Sequence, residues 1–234
     1  MAIMINDLLL DFKGKTATQR ILDDAKKILL ENKAKFFGFT PRPNCIALVR
    51  TQKKNDNEIL SIGGSTPPDL LNDNFLKTLA AIHTPARTNF FKAFTMIDIT
   101  STQITYRSYD QFTTGNNDSS GWTNGGLTQI QVGSGSTPAA RSDENIETPF
   151  VGGAEASRNS ISPAGYDSIL ARVNLSVAIP TTNAGTIQEA CLYCNCRTQV
   201  IGVNANVLYA RDNVSPSVSF LPGETIFVEY VLQI

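Results

Sequence analysis

The sequence predicts a mainly β fold, in which an antiparallel β-sandwich or jelly-roll-like module follows an N-terminal α+β region containing two helices. Three observations support this prediction. Hydrophobic residues make up 41% of the 234 residues and charged residues only 18%, and 16 glycines with 11 prolines supply many turns. Apolar residues recur at helical spacing before about residue 90 and at every second position after it. We therefore divide the chain into a mixed α/β region, residues 1–90, and a β-sandwich module, residues 91–234.

The first predicted helix begins near Thr16 and ends near Gly38. Thr16 and Gln19 have the spacing of a capping box, which satisfies backbone N–H groups at a helix start. The following residues divide into an apolar face and a charged face, as in an amphipathic helix. The apolar face comprises Ile21, Leu22, Ala25, Ile28 and Leu29, and the charged face comprises Asp23, Asp24, Lys26, Lys27 and Glu31.

A second helix is predicted to start at residues 66–69 and to end at Pro85, because proline suits the first turn of a helix and then stops the pattern. Between the two helices, residues 45–50 and 59–62 read as short strands. The apolar positions of the second helix have nearly fourfold spacing and are Leu71, Phe75, Leu79 and Ile82.

Polar turns divide the first part of the later module. Residues 94–99 and 103–109 form a predicted hairpin with its turn at Ser101 and Thr102. Residues 113–126 contain few apolar groups and many Gly and Asn residues, so we expect an exposed loop there.

Two later strands alternate clearly between apolar and polar residues, which predicts one face in a core and one face in water. A turn at residues 221–223 precedes the second of them. The inward positions of residues 169–179 are Ile169, Ala171, Val173, Leu175, Val177 and Ile179. Those of residues 224–234 are Ile226, Val228, Tyr230, Leu232 and Ile234.

Charge is unevenly divided along the chain, although the net charge is only −1. Residues 1–54 contain 11 Lys and Arg against 5 Asp and Glu, whereas the rest of the chain contains 9 against 16. The basic residues are scattered among acids and lack interleaved aromatics, which favours a solvated surface or an acidic neighbouring subunit over DNA contact.

The apolar start of the chain does not predict a membrane segment. Asn6, Asp7 and Asp11 interrupt it, and no run of 18 apolar residues occurs. No basic residue precedes the apolar stretch and no small-residue cleavage site follows it, so we expect no secretion signal. These features predict a soluble protein made in a cytoplasm, with no membrane partner.

Four segments occur in a distinctive order from residue 130 onward. IQVGSGSTPAARSDENI (130–146) is a strand that runs into a glycine-rich turn and an acidic step, and the alternating strand 169–179 follows it. TIQEACLY (186–193) comes next, and VLYARDNVSPSVSFLPGETIFVEYVLQI (207–234) comes last. This order resembles a β module of tailed-bacteriophage virion proteins that occurs in tail, collar and fibre-like components.

TIQEACLY is similar to the Thr-Ile-x-Glu-Ala-Gly-Leu-Tyr motif of that family, with Cys191 where Gly is usual. The resemblance implies virion assembly through β modules, as homo-oligomers around a symmetry axis, and it carries over no catalytic or cofactor residue. The expected function is a non-enzymatic virion structural protein of the tail, neck/collar or head-decoration region, assembled in the host bacterial cytoplasm. Its expected partners are other copies of itself and neighbouring virion proteins.

Cysteine and histidine offer the most reactive side chains. Cys191, Cys194 and Cys196 have spacing that zinc ligands use, but strand alternation places Cys191 on the opposite face from the other two. No second CxxC or nearby His completes a ligand set, so we predict buried thiols and no metal site. His83 is the only histidine and precedes Pro85 at a predicted helix end, which favours a capping or surface role over catalysis.

Two other motifs are weak signals of chemistry. The glycine-rich turn VGSGSTP (132–138) lacks the Lys of a phosphate-binding loop, so we expect no nucleotide cofactor. Asp143 and Glu144 are paired carboxylates of the kind that glycosidases use, but adjacent residues on an extended chain point apart. We therefore predict no catalytic residue and no cofactor.

Trp122 lies in the polar loop 113–126 together with Asn116 and Asn117. An isolated exposed Trp supplies a large contact area, so an interface with a neighbouring subunit and stacking on a sugar ring both remain open. A third reading is that Trp122 folds back over the local core. The alternative function is accordingly a carbohydrate-binding receptor or adhesin module that uses the Trp122 loop to contact a host surface glycan.

Overall fold

The computed structural model describes residues 18–38, 44–53, 58–67, 71–77, 93–107, 128–161, 165–167, 172–197 and 204–233. Residues 73–77 are helical and Ala154–Ala156 form a 3-10 turn. The other elements are α1 (Thr18–Phe37), β1 (Asn44–Lys53), β2 (Ile59–Ser65), β3 (Ala93–Ile97), β4 (Gln103–Arg107), β5 (Thr128–Gly133), β6 (Asn159–Ser160), β7 (Gly165–Asp167), β8 (Arg172–Pro180), β9 (Gly185–Arg197), β10 (Asn204–Phe220) and β11 (Glu224–Gln233).

Nine of these strands form one sheet, in the order β6-β5-β9-β10-β2-β1-β11-β8-β7. The pairings between the described strands are antiparallel. β3 and β4 form the predicted hairpin as a separate antiparallel pair. The prediction of a mainly β, antiparallel fold is therefore confirmed.

The sheet curls into a near-barrel because β2 joins two sets of strands. It pairs with β1 over most of its length, and with β10 only at Gly64 and Ser65. The main core takes side chains from β1, β8 and β11 on one side and from β5, β9 and β10 on the other. Strands from both sides of residue 90 therefore share one sheet and one core.

Two successive glycines allow close packing on both faces of β2. A Cβ atom on Gly63 would clash with the carbonyl oxygen of Pro216 in β10. A Cβ atom on Gly64 would clash with the Leu29 side chain of α1. The glycine pair therefore admits β10 on one face and the helix on the other.

The predicted alternation in β8 and β11 is confirmed for the described residues. Ile169, Ala171 and Ile234 lie outside them. The inward side chains are buried in the main core and are Leu175, Val177, Ile179, Ile226, Val228, Tyr230 and Leu232, with Val173 packed partly buried against it.

The expectation that the outer face of β11 lies in water is wrong. Val231 is fully buried on that face, in a second core with side chains of β1, β2 and α1. The physical reason is that β1 is apolar on both faces, so a layer of structure must cover each face. The other members of this second core are Leu22, Ala25, Leu29, Ile46, Leu48 and Ile62.

The first helix and its apolar face are confirmed, with one correction. Gly38 follows the last turn with a φ of 73°, the left-handed conformation that often ends a helix. Lys26, predicted on the charged outer face, is instead buried and forms an ion pair of 2.6 Å with Glu229 of β11. The long Lys side chain reaches the sheet from the edge of the apolar face, because its aliphatic part can pack against the helix.

The second helix begins later than predicted. Leu71 forms an isolated bridge with Ala210 of β10, and the Asn72 N–H donates to the carbonyl of Tyr209. The Asn72 side chain then accepts from the Asn74 N–H at 2.8 Å, as an N-cap does. The tertiary pairing with β10 holds these residues extended, so the described helical turn starts at residue 73. Leu79, Ile82 and Pro85 lie outside the described residues.

No helix in the described part of the chain is long and apolar enough to span a membrane.

The Lys26–Glu229 pair should help hold α1 on the sheet. Replacing Glu229 by Gln leaves a mostly buried ammonium group without its carboxylate, so we expect unfolding free energy to fall by about 2 kcal/mol or more. Urea denaturation measures this change. The matched control is Glu58→Gln in the exposed Lys53–Glu58 pair, whose side chains are 53% and 58% exposed; it should cost less than about 0.5 kcal/mol. Equal losses would contradict a special role for the buried pair.

Candidate functional site

The sequence-predicted site residues are divided between described and undescribed parts of the chain. Trp122, Asn116, Asn117 and His83 lie outside the described residues, as does the predicted loop 113–126. Their roles stay predictions.

Cys191 and Cys194 lie on opposite faces of β9, as the alternation predicts. Cys194 belongs to the main core, whereas Cys191 packs with Tyr193 and Leu208 in a small third core. Burial, followed by the nearby carboxylate of Glu189, raises the pKa of Cys191 well above its usual value, which keeps a neutral thiol. Among the described residues, no group of three or more His, Cys, Asp and Glu side chains is placed to hold a metal ion.

Asp143 and Glu144 point to different partners, as expected for neighbours on an extended chain. The Asp143 carboxylate accepts from the Ala140 N–H at 2.8 Å and from Arg211 at 2.9 Å. The Glu144 carboxylate accepts from the Ser101 hydroxyl in the β3–β4 turn. Both carboxylates therefore form hydrogen bonds that hold neighbouring loop segments in place.

A buried ionic cluster on β9 and β10 is the most distinctive polar arrangement among the described residues. Arg211 of β10 has a side chain only 4% exposed and contacts three carboxylates. Its closest N···O distances are 2.8 Å to Glu189, 2.9 Å to Asp143 and 2.6 Å to Glu147. We call these four residues the anchor cluster.

Glu189 connects this cluster to the loop of residues 134–148. Its carboxylate is fully buried and accepts from the backbone N–H groups of Gly135, Glu147 and Thr148 at 2.9, 3.0 and 2.8 Å. A buried carboxylate needs several such donors, because it has lost its water. The loop thereby covers the outer face of β9 and β10.

The pKa directions agree with this geometry. Burial alone would lower the pKa of Arg211, but its hydrogen bonds to Glu189 and Asp143 outweigh burial and raise it. The pKa of Glu147 lies below its usual value, first because the Thr137 hydroxyl donates to the carboxylate. Both shifts favour the charged forms of Arg211 and Glu147, as expected for an ion pair.

Replacing Glu189 by Gln should loosen the loop. The neutral amide loses the attraction to Arg211 and part of its acceptor capacity, so we expect a loss of about 2–4 kcal/mol in unfolding free energy. Hydrogen exchange at Gly135, Glu147 and Thr148 should accelerate in parallel. Glu144→Gln is the control, since the hydrogen bond described for Glu144 goes to Ser101 in the β3–β4 turn; unchanged exchange in Glu189→Gln would refute the anchoring role.

A second buried carboxylate joins two loops at one end of the sheet. Glu155 is 1% exposed and accepts from the Asn183 N–H at 2.9 Å and from the Asn183 amide at 2.8 Å. Burial opposes its ionisation, but hydrogen bonds from its own N–H, from Asn183 and from Thr182 outweigh burial and lower its pKa below the usual 4.5. The connection therefore requires the ionised form.

The Glu155 connection should be pH dependent. Because the folded-state pKa is depressed, its stabilisation is complete above the usual pKa of 4.5 and is lost as pH falls through the lower folded value. NMR titration of the Thr182 and Asn183 amide protons should show a midpoint below 4.5. Glu155→Gln should abolish that transition, while Glu58→Gln should leave it unchanged; a midpoint above 4.5 would contradict the assignment.

A polar groove of about 470 Å³ crosses the outer face of β5 and β9, beside the anchored loop. Gln129 and Gln131 of β5 form its floor, because the intervening Ile130 points into the main core. Arg158 lies over the ring of Tyr193, 5.5 Å from its centroid. The remaining lining residues are Ile99, Asn145, Ile146, Pro149, Ala156, Ser157 and Asn206.

A second groove, of about 430 Å³, lies between α1 and the outer face of β8 and β11. The charged side chains that line this groove contact one another or an aromatic ring. Lys26 pairs with Glu229, and the Arg50 guanidinium lies 4.7 Å from the centroid of the Phe227 ring. Burial lowers the pKa of Arg50, which the charge of Glu229 partly offsets. These contacts favour a structural role for this groove.

Sequence reasoning missed Glu189, Arg211, Glu155 and Arg158. For Glu189 and Arg211 the available signal was a charge inside a largely apolar strand, since a charge there needs a partner. Glu155 and Arg158 lie outside the strands, where the sequence offered no such signal. No protein-family model, curated protein or solved structure matches this chain.

Proposed function

We propose that this protein is a structural component of a tailed-bacteriophage particle that assembles as a homo-oligomer in the tail, neck/collar or head-decoration region. We also propose that its curled sheet is a jelly-roll-like sandwich, with the two sets of strands facing one core. The virion is the proposed location.

The observation that carries this proposal is the contact between separate blocks of the phage-like pattern. Glu189 belongs to TIQEACLY, and its carboxylate accepts from the Gly135 N–H inside the block 130–146 and from the N–H groups of Glu147 and Thr148, which directly follow that block. Arg211 belongs to the last block and binds the same carboxylate. Three of the four blocks that resemble the virion module are thus in contact, as parts of a single folded module would be.

The edges of the sheet also suit a structural subunit. Within the described residues, the edge strands β6 and β7 contain two and three residues. Short edges protect a β protein from uncontrolled strand pairing. Ordered association would then use loops and faces of the sheet.

One end of the sheet carries exposed apolar side chains that suit such association. Val151 is 93% exposed and Leu221 is 60% exposed. Their neighbours Phe150 and Phe220 pack against each other with ring centroids 5.2 Å apart, which places both residues at the same end. Apolar groups in water at one end favour burial against another subunit.

Light scattering after size exclusion should therefore give a mass that is a multiple of 25.4 kDa. The double variant Val151→Asp and Leu221→Asp should shift this mass towards the monomer, because buried charges would oppose the contact. Phe36→Lys is the control, since Phe36 is 58% exposed on α1. Mass spectrometry of purified particles tests incorporation directly.

A strict monomer at all concentrations, absent from purified particles, would contradict the proposed function. If the Asp substitutions leave an oligomer intact, the proposed function still stands, but Val151 and Leu221 do not form the interface.

The alternative function, a carbohydrate-binding receptor or adhesin module using the Trp122 loop, stays a prediction because that loop lies outside the described residues.

A further inference from the structure

We propose that the polar groove beside the anchored loop binds a carboxylate-bearing sugar, such as a uronic acid unit of a polysaccharide. Arg158 would bind the sugar carboxylate, and the side chains of Gln129, Asn145 and Ser157 would bind its hydroxyls. This inference goes beyond the proposed function, because the described lining residues of the groove belong to one chain and the proposed contacts involve no virion partner.

The charge of the groove favours an anionic ligand. Arg158 is the charged side chain among the described lining residues, and it forms no ion pair with a described carboxylate. The contact with the Tyr193 ring restrains the Arg158 guanidinium, so Arg158 loses little side-chain entropy when it binds a ligand. The nearby carboxylates of Glu144 and Glu147 bond Ser101, Thr137 and Arg211 and do not line the groove.

The framework around Arg158 is rigid. The buried Tyr193 hydroxyl donates to the Asn145 side-chain oxygen at 2.8 Å and accepts from the Ile146 N–H at 3.0 Å. The Gln131 amide donates to the Ala156 carbonyl at 2.8 Å and thereby fixes the 3-10 turn that precedes Arg158. Both walls of the groove are therefore attached to its floor before any ligand binds, which lowers the entropic cost of binding.

Gln129 adds an unmet acceptor. Its side-chain oxygen is shielded from water and accepts no hydrogen bond from a described residue. An unpaired buried acceptor is costly, and the terminal torsion of a Gln amide rotates easily. A ligand hydroxyl that meets this oxygen after a small rotation removes that cost.

The shape of the groove favours a sugar over an acidic peptide. Peptides usually add a strand to an open sheet edge or insert apolar anchors into pockets. The floor here is the face of β5, which already pairs with β6 and β9, and Ile146 is buried in the third core. Planar amides, a serine hydroxyl and a guanidinium match the hydroxyl and carboxylate groups of a uronic acid.

The test titrates glucuronate and glucose into the full-length protein and follows binding by saturation-transfer NMR and calorimetry. Glucuronate should bind at least about tenfold more tightly than glucose, because a charge-assisted bidentate contact is lost with the neutral sugar. Arg158→Gln should reduce glucuronate binding to the level of glucose. An acetylated and amidated aspartyl dipeptide supplies a carboxylate without sugar hydroxyls and should bind more weakly than glucuronate.

Three further measurements keep the result interpretable. Ser157→Asp places a negative charge on the exposed rim of the groove and should weaken glucuronate binding. This second variant tests the site independently in case Arg158→Gln destabilises the fold. Arg141→Gln is the matched control, because Arg141 is an exposed arginine outside the groove and its loss should change nothing. Light scattering of Arg158→Gln should show an unchanged mass, which separates this site from the proposed assembly.

The inference is overturned if glucuronate shows no saturable binding up to about 10 mM, or if Arg158→Gln and Ser157→Asp both bind it as the unmodified protein does. Equal binding of the dipeptide would reject the sugar assignment.

Discussion

The buried contact between Arg211 and Glu189 is the constraint on which the C-terminal part of the structure depends. The two charges lie on neighbouring strands and are shielded from water, so each needs further partners, which the loop 134–148 supplies. Opening this loop would take Asp143 and Glu147 away from Arg211 and three N–H donors away from Glu189, and a buried charge that loses its partners is strongly destabilising. The Arg211–Glu189 pair therefore both connects the two strands and holds the loop closed. As a result, one wall of the neighbouring groove has a fixed position.

Each set of strands has an outer face that another part of the protein covers, and the two covering layers differ in chemistry. On β1, β2 and β11 the outer face is apolar, and α1 covers it with its own apolar face. On β9 and β10 the outer face carries charges, and a polar loop covers it through hydrogen bonds. An apolar layer packs on the sheet because burial removes apolar surface from water, whereas a polar layer packs on it only where hydrogen-bond donors meet acceptors. The amide-lined groove lies beside this polar layer.

The local period of apolar residues allowed several elements to be predicted correctly. The apolar face of α1, the inward residues of β8 and β11, and the opposite facing of Cys191 and Cys194 all follow from spacing along a single segment. The start of the second helix was wrong because Leu71 and Asn72 pair with β10, a contact that no local pattern encodes. Lys26 was misplaced for a similar reason, since its partner Glu229 lies 203 residues away.

The sequence by itself determined the apolar face of α1 and the inward faces of β8 and β11, because these properties repeat every 3.6 or every two residues within one segment. Only the tertiary structure decided that β1 and β2 lie between β10 and β11, and hence that strands from both parts of the chain share a core. It also decided which charges meet. Glu189 and Arg211 are ordinary polar residues in the sequence, and they form the centre of the anchor cluster only because strand register makes them diagonal neighbours on one face and a distant loop closes over them.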